Sequence, residues 1–332
     1  MKNNYPFKKI LVTGGCGFIG SSYIENIINN YDDVEIKNID LMTYAASNKT
    51  LSLFQTYKNF SHIQIDLLDS LAVKKVVEDF YPDLIVNFAA ESHVDNSING
   101  ALPFINSNIH GVYNLLEASK DLSAQKKFLF HQISTDEVYG DLEVNEPAFT
   151  EKHPYNPSSP YSASKASADM LVSAWSRTFK IPSLITNCSN NFGPRQYFEK
   201  LIPKIIFNGL NDIEIPIYGD GTNIRDWIYV DDHTKAIIEL HKLETNTGTY
   251  NIGGEYEITN IGLINKIIEI LKLKYDAKPK IKFVEDRKGH DKRYAIDMSK
   301  TKSMLNKQIN GDFNTNLNKT ISWYVDNFDW WD

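Results

Sequence analysis

Cysteine is nearly absent from this 332-residue chain, which has two, Cys16 and Cys188. Two isolated thiols make neither a disulfide framework nor a metal-ligand pattern. No metal is therefore expected, and a reducing, cytoplasmic setting is the simplest reading. No apolar run reaches the roughly 18 residues of a membrane span. Residues 1–9 lead straight into a strand-like run and lack the apolar core of a signal peptide. The net charge is −7 and no long basic block interrupts it. That balance argues against a nucleic-acid partner. Internal repeats and low-complexity tracts are also lacking, and the length suits one large domain or two modest ones with ample core.

What is present is an alternation of strand-like and helix-like segments. Lys9–Thr13, Val34–Asp40, Ile63–Leu67, Leu84–Ala89, Lys127–Ser134 and Ser183–Thr186 read as strands. Ser22–Asn29, Leu71–Phe80, Asn108–Lys120 and Ser162–Phe179 have helical spacing. The βα repetition predicts a doubly wound, parallel α/β sheet. After Asn190 prolines and glycines punctuate shorter elements, which predicts a smaller second lobe. Asp231–Leu243 and Thr249–Ile252 are expected to return to the first sheet. Ile261–Leu273 and Lys300–Leu305 are expected as small helices of the second lobe. The expected division is 1–189 with 227–254 for the first domain, and 190–226 with 255–332 for the second.

Gly14, Gly17 and Gly20 form a G-x-x-G-x-x-G run after the first strand and at the start of a helix. Such glycines permit a tight turn, a close approach of backbone to pyrophosphate, and close helix–strand packing. The helix N-terminus offers free N–H groups to phosphate. Asp40 follows at the end of the second strand, where a carboxylate can accept from a ribose 2′-hydroxyl and repel a 2′-phosphate. NAD is therefore expected rather than NADP. Asp66, near the end of the third strand, is a candidate for the adenine side.

Tyr161 and Lys165 lie four apart in a helical segment and share a face. An ammonium beside a phenol favours the phenolate, which can take a hydroxyl proton as hydride leaves. Taken alone, Tyr-x-x-x-Lys is usually a surface pair; the dinucleotide fingerprint upstream gives it meaning. Thr135-Asp136-Glu137 follows an expected strand of the parallel sheet, at the carboxyl end where ligands bind. One protonated and one ionised carboxyl would supply an acid and a base together. The bland alternative is an acid-decorated helix start. Hydride transfer beside acid–base chemistry is what a dehydration through transient oxidation requires.

These blocks resemble the nucleoside-diphosphate-glucose 4,6-dehydratases of the extended short-chain dehydrogenase/reductase superfamily. The matching segments are TGGCGFIG (13–20), FAAESHVDNSI (88–98), STDEVYG (134–140), PYSASKA (160–166), CSNNFGP (188–194), EKLIPK (199–204), PIYGDG (216–221), RDWIYVDDH (225–233) and DRKGHDKRYAID (286–297). The resemblance covers essentially the whole chain. It implies a Rossmann domain with a discontinuous C-terminal substrate lobe, bound NAD, a dTDP-glucose or UDP-glucose substrate, and a homodimer formed through the helices 108–120 and 162–179.

It also implies roles. Tyr161 would be the base for oxidation at carbon 4, assisted by Lys165 and Thr135. Glu137 would take the carbon-5 proton, and Asp136 would protonate the departing 6-hydroxyl. Phe18, Ile19, Thr43, Leu67, Ala89, Ala90, Ser92, Asn108, Ser134, Cys188 and Asn191 would join Gly14, Gly17, Gly20, Asp40 and Asp66 around NAD. Ser92, His93, Asn190, Glu199, Lys200 and Leu201 would meet the sugar diphosphate, and Pro216, Ile217 and Tyr218 the nucleobase. Arg225, Asn260, Asp286, Arg287 and His290 would serve the diphosphate region. Cys188 is expected to pack rather than react. Asn96, the Arg195-Gln196-Tyr197 run and Cys16 depart from the family's pattern. The competing readings are a 4-epimerase or decarboxylase of the same superfamily, and a non-catalytic NAD-binding protein.

Overall fold

The apolar runs sort by face. Within Lys9–Thr13 (β1), Ile10 and Val12 enter one core and Leu11 the other, as the two-residue period of a strand dictates. The same sorting holds in the strands beside it, so the sheet is covered on both sides. The computed structural model describes residues 4–331, and the part of the expected lead-in on residues 1–3 lies outside them.

Six more strands complete this sheet: Glu35–Asp40 (β2), Phe60–Gln64 (β3), Leu84–Asn87 (β4), Leu129–Thr135 (β5), Ser183–Cys188 (β6) and, after three further strands, Gly248–Ile252 (β10). Their order is β10-β6-β5-β4-β1-β2-β3, and every neighbouring pair is parallel. The chain leaves β1 toward β2 and β3, then crosses back to β4. That reversal opens a crevice at the carboxyl ends of β1 and β4. Helices Phe18–Asn30 and Val230–His241 cover one face, and Ser70–Phe80, Gly111–Gln125 and Pro160–Phe179 the other. The expected doubly wound α/β sheet is thus present.

The second lobe holds a mixed sheet of Asn190–Phe192 (β7), Ile224–Tyr229 (β9) and Glu257–Thr259 (β11). Ile215–Tyr218 (β8) and Ile281–Val284 (β12) form a parallel pair. Helices Leu201–Leu210, Asn260–Tyr275 and Phe313–Asp326 enclose its own core around Phe192, Ile205, Leu263 and Tyr324. A single residue, Ser189, separates β6 of the large sheet from β7 of the small one.

Several elements differ from their sequence reading. The first helix begins at Phe18 rather than Ser22, directly from the glycine turn. The third strand is 60–64 rather than 63–67, because Ile65 and Leu67 pack into the second core from the loop beyond it. The expected helix 108–120 starts as a π turn, Ile105–His110, before the α-helix 111–125. Helices 48–54, 201–210 and 313–326 were not legible. Helix Ser299–Leu305, expected in the second lobe, packs on β10, and Met298 beside it belongs to the first core. The expected boundary at 227 falls inside β9, which pairs with second-lobe strands along its length.

Candidate active site

A cleft of about 530 Å³ runs along the carboxyl ends of β1, β2, β4, β5 and β6. The glycine turn floors one end of it. Gly14 has φ +68°, and a Cβ there would lie 2.7 Å from the Ala89 nitrogen. A Cβ at Gly20 would lie 2.4 Å from the Gly14 carbonyl oxygen. Gly17 caps helix 18–30 without any side-chain hydrogen bond, and no acid stands in its first turn. The free N–H groups of that helix therefore meet the cleft unobstructed. Asp40 is buried and lines the same end, its oxygens accepting from the Cys16 and Met42 nitrogens at 2.9 Å each. These features fit a dinucleotide with a free ribose 2′-hydroxyl. Thr43, Asp66 and Leu67 line this end from loops, Asp66 beyond the strand that was expected to carry it.

At the other end β5 delivers Ser134 and Thr135, and the chain turns at once through Asp136–Val138. The Thr135 hydroxyl accepts from the Glu137 nitrogen at 3.3 Å and fixes that turn. Facing it, Ser159 and Ser162 form a capping box that starts helix 160–179. This places Tyr161 in the first turn and Lys165 one turn on, both lining the cleft with Thr135, Asp136 and Glu137.

The two acids stand in different fields. Asp136 is 2 % exposed, its Oδ2 has no hydrogen-bond partner among the described residues, and burial, Glu137 and Asp226 push its carboxyl well up. Burial also raises Glu137, but Arg225, Lys200 and Arg287 all oppose that rise. Both carboxyls are raised by burial, Asp136 the further, because Glu137 and Asp226 add to its rise whereas the three cations restrain that of Glu137.

Tyr161 departs from expectation. Burial, Glu137, Cys188 and Asp136 raise its phenol well above the usual range, and only the Thr135 hydroxyl among its leading influences lowers it. Lys165 is not among the leading influences on this phenol, and its Nζ donates to the Ile133 carbonyl oxygen at 2.6 Å. Burial lowers Lys165 in turn, and Asp169 raises it.

Most of the expected site residues meet in this cleft: Phe18, Ile19, Ala89, Ala90, Ser92, Cys188, Asn190, Asn191, Glu199 and Lys200 all line it. Cys188 donates from Sγ to the Ser134 carbonyl at 3.2 Å, and burial pushes its thiol up to about 12, consistent with packing. Lys200 bridges the lobes through the Ser92 carbonyl at 2.7 Å. Arg225 donates to the carbonyls of Ile224 and Asp291 and forms no ion pair among the described residues. Arg287 pairs with Asp95 of the first domain at 2.6 Å, and Tyr218 reaches the same carboxylate at 3.4 Å. Asn260 stands at the start of a helix with a buried, unpartnered Oδ1.

Other placements need correction. Asn108 does not line the cleft. Its amide grips the Glu91 backbone at 2.9 Å on both sides and Ser164 at 2.8 Å, so it braces the lining loop. His93 caps helix Val94–Asn99 through the Asn96 nitrogen. Ile217 is buried in the second core, while Pro216 and Tyr218 alternate to the other side of β8. Leu201 packs against that core as well. Asp286 and His290 pair with each other at 2.6 Å outside the cleft lining.

The sequence reading missed Asp169, Asp226 and Asp95, although all three stand in or beside quoted motifs. It also missed His233, whose Nδ1 meets the Asn191 amide oxygen at 2.8 Å, and the Tyr44–Tyr197 contact at 5.4 Å between ring centres. No local pattern marks that last pair.

Comparison with known proteins agrees with this geometry. A family model described as GDP-mannose 4,6 dehydratase matches residues 11–320. A dTDP-glucose 4,6-dehydratase of Escherichia coli is 47 % identical, covering 97 % of this chain and 95 % of its own. The crystal structure of dTDP-glucose 4,6-dehydratase from Bacillus anthracis in complex with NAD superposes with a TM-score of 0.87 at 39 % identity, covering 98 % of both chains. A UDP-glucuronic acid 4-epimerase of Bacillus cereus shares the fold at the same TM-score but 26 % identity, covering 96 % of this chain and 99 % of its own. Two adjacent carboxyls beside Tyr161 and Lys165, on a chain matched over 97 % of its length by a 47 % identical relative, lead to one conclusion: this chain belongs to the nucleotide-sugar 4,6-dehydratase family of the extended short-chain dehydrogenase/reductase superfamily, and is of the dTDP-glucose 4,6-dehydratase type.

Proposed function

We propose that the chain converts dTDP-glucose, or the UDP analogue, to the 4-keto-6-deoxyglucose nucleotide and water. The observation that carries this is two adjacent carboxyls in unequal fields, Asp136 raised well up and Glu137 restrained by three cations, lining one cleft with Tyr161 and Lys165. NAD would be held by the glycine turn and Asp40, and when bound it would supply hydride acceptance from carbon 4 and hydride return to carbon 6. The protein does the rest with protons. Tyr161 receives the proton of the 4-hydroxyl in its phenolate form, which the Thr135 hydroxyl favours against the burial that raises the phenol. The resulting ketone acidifies carbon 5, and Glu137 takes that proton. Asp136 donates its proton to the departing 6-hydroxyl, which leaves as water. Glu137 exchanges that proton with solvent and then reprotonates carbon 5. Lys200, Arg225 and Arg287 form the positive wall suited to a diphosphate, and they oppose the burial that raises Glu137.

The test is turnover in heavy water. One solvent deuterium at carbon 5, with an alkali-detectable 4-keto product, is the expected result. A 4-epimer without exchange at carbon 5 would establish the epimerase reading instead. The division into an NAD domain (1–189, 227–254) and a substrate lobe (190–226, 255–332) is part of the same reading, although Ser299–Leu305 serves the first core. So is a cytoplasmic setting, to which two unbridged thiols are suited. A homodimer is also part of it. Tyr113 and Met170 expose apolar surface on the helices expected to pair, and light scattering should give twice the chain's 38.0 kDa.

A further inference from the structure

Helix 160–179 presents a phenol, an ammonium and a carboxylate at successive turns of one face: Tyr161, Lys165 and Asp169. All three are buried, Asp169 to 1 % exposure. Its Oδ2 accepts from Ser134 Oγ at 2.5 Å and from the Tyr155 hydroxyl at 3.3 Å. Its Oδ1 has no hydrogen-bond partner among the described residues. A buried, unpartnered carboxylate oxygen is costly unless a cation lies near. Lys165 meets the converse problem: its hydrogen bond to the Ile133 carbonyl satisfies one N–H but supplies no negative charge. Each group acts on the other. Asp169 is the foremost influence restoring the proton that burial would take from Lys165. Lys165 is the foremost influence opposing the rise of Asp169, whose carboxyl burial pushes up to about 6.

The surrounding elements offer no substitute. The turn after β5 brings Asp136, Glu137 and Tyr139, of which the two acids act on Tyr161. β6 brings Cys188, which burial keeps as a thiol. The loop before the helix brings Tyr155, whose hydroxyl burial raises. On helix 94–99, Asp95 is taken up by Arg287, and His110 of the π turn is exposed. From helix 111–125, Glu117 and Lys120 meet the helix farther along, at Trp175 and Phe179.

We propose that Asp169 is the buried counter-ion of Lys165, a positioning residue that keeps the lysine charged during oxidation at the sugar hydroxyl; this rests on the dehydratase reading. Ser134 and Tyr155 hold the carboxylate in place, which explains why a strand-end serine and a loop tyrosine converge on it.

Asp169→Asn keeps the shape and removes the charge. An opposite charge close by moves a titration by about 1–3 pH units, so the alkaline limb of the kcat–pH profile should fall by about one unit or more. Asp169→Glu should return the limb to the wild-type position. An Asn variant slower by one factor at every pH, with the limb unmoved, overturns the proposal. A second readout needs no turnover and so separates this inference from the assignment of the reaction. In thermal unfolding, Asp169→Asn with Lys165→Met should destabilise less than the sum of the two single changes. Strict additivity overturns the pairing. If Asp169→Asn alone does not fold, recovery of folded protein in the double variant supports the pairing, and failure to recover overturns it.

Discussion

At the residue scale, function turns on how one turn of chain gives two adjacent carboxyls different fates. Asp136 faces Asp226, a carboxylate locked by the Gly254 and Tyr256 nitrogens at 2.9 and 2.7 Å. Glu137 faces three cations from the second lobe. The Thr-Asp-Glu run was legible as chemistry, but the difference between its acids was not. It depends on Asp226, Arg225, Lys200 and Arg287, which lie 63 or more positions away in the chain. Glu137→Gln keeps the shape of the turn and removes the base. We expect carbon-5 exchange and elimination to fall by about 10²–10⁴-fold, the range of a positioned general base, while substrate still binds. Exchange measured by NMR in heavy water checks this, and near-wild-type exchange would remove Glu137 from the role.

At the scale of elements, the strand-end turns were readable where glycine marks them, and unreadable where packing decides. The glycine turn belongs to the first kind, whereas the Ser159 capping box starts its helix two residues ahead of the Ser162 expected from the sequence. The π turn at 105–110 belongs to the second: Asn108 is drawn inward by Glu91 and Ser164, which a 3.6-residue period does not foretell. The third strand ends at Gln64, short of its apolar run, because Ile65 and Leu67 fill the core from a loop. At the first turn a methyl is enough to disturb the site. Gly20→Ala puts a Cβ against the Gly14 backbone, where nothing can yield without moving helix 18–30 off β1. An overpacking cost of about 1–3 kcal/mol predicts NAD binding weaker by roughly one to two orders of magnitude. Isothermal titration with NAD checks it, and the overall fold by circular dichroism should be retained.

For the whole molecule, the alternation of strands and helices made the large domain legible, whereas the second lobe is held by short strands that pair across long gaps in sequence. A buried network ties the large domain together. His131 meets His241 at 2.8 Å, and His241 meets the Tyr5 hydroxyl at 2.6 Å, all three without solvent exposure. Burial lowers the His241 pKa to about 3, and lowers His131 well below the usual value. The unfolded chain therefore binds protons that the folded chain refuses. Stability is complete above about pH 6.5 and is lost as pH falls toward 3, by about 1.4 kcal/mol per unit for each such histidine. Buried carboxyls such as Asp169 act in the opposite sense, so the clean measurement is a difference. The stability advantage of wild type over His241→Gln in urea unfolding should shrink steadily from pH 7 to pH 4. A constant advantage would show that the histidine is protonated or solvated in the fold.

The single residue between β6 and β7 has a further consequence. With only Ser189 at the seam, and its hydroxyl accepting from the Gly254 nitrogen at 3.1 Å, the two lobes share a spine instead of a hinge. Traffic through the cleft must then pass between flaps. The natural flaps are the segments around Tyr44 and Tyr197, whose rings meet and whose Tyr44 hydroxyl reaches Glu199 at 3.2 Å. Tyr197 lines the cleft and Tyr44 follows the lining residue Thr43, so the ring contact ties a loop of each lobe together at the edge of the cleft, beside the shared spine.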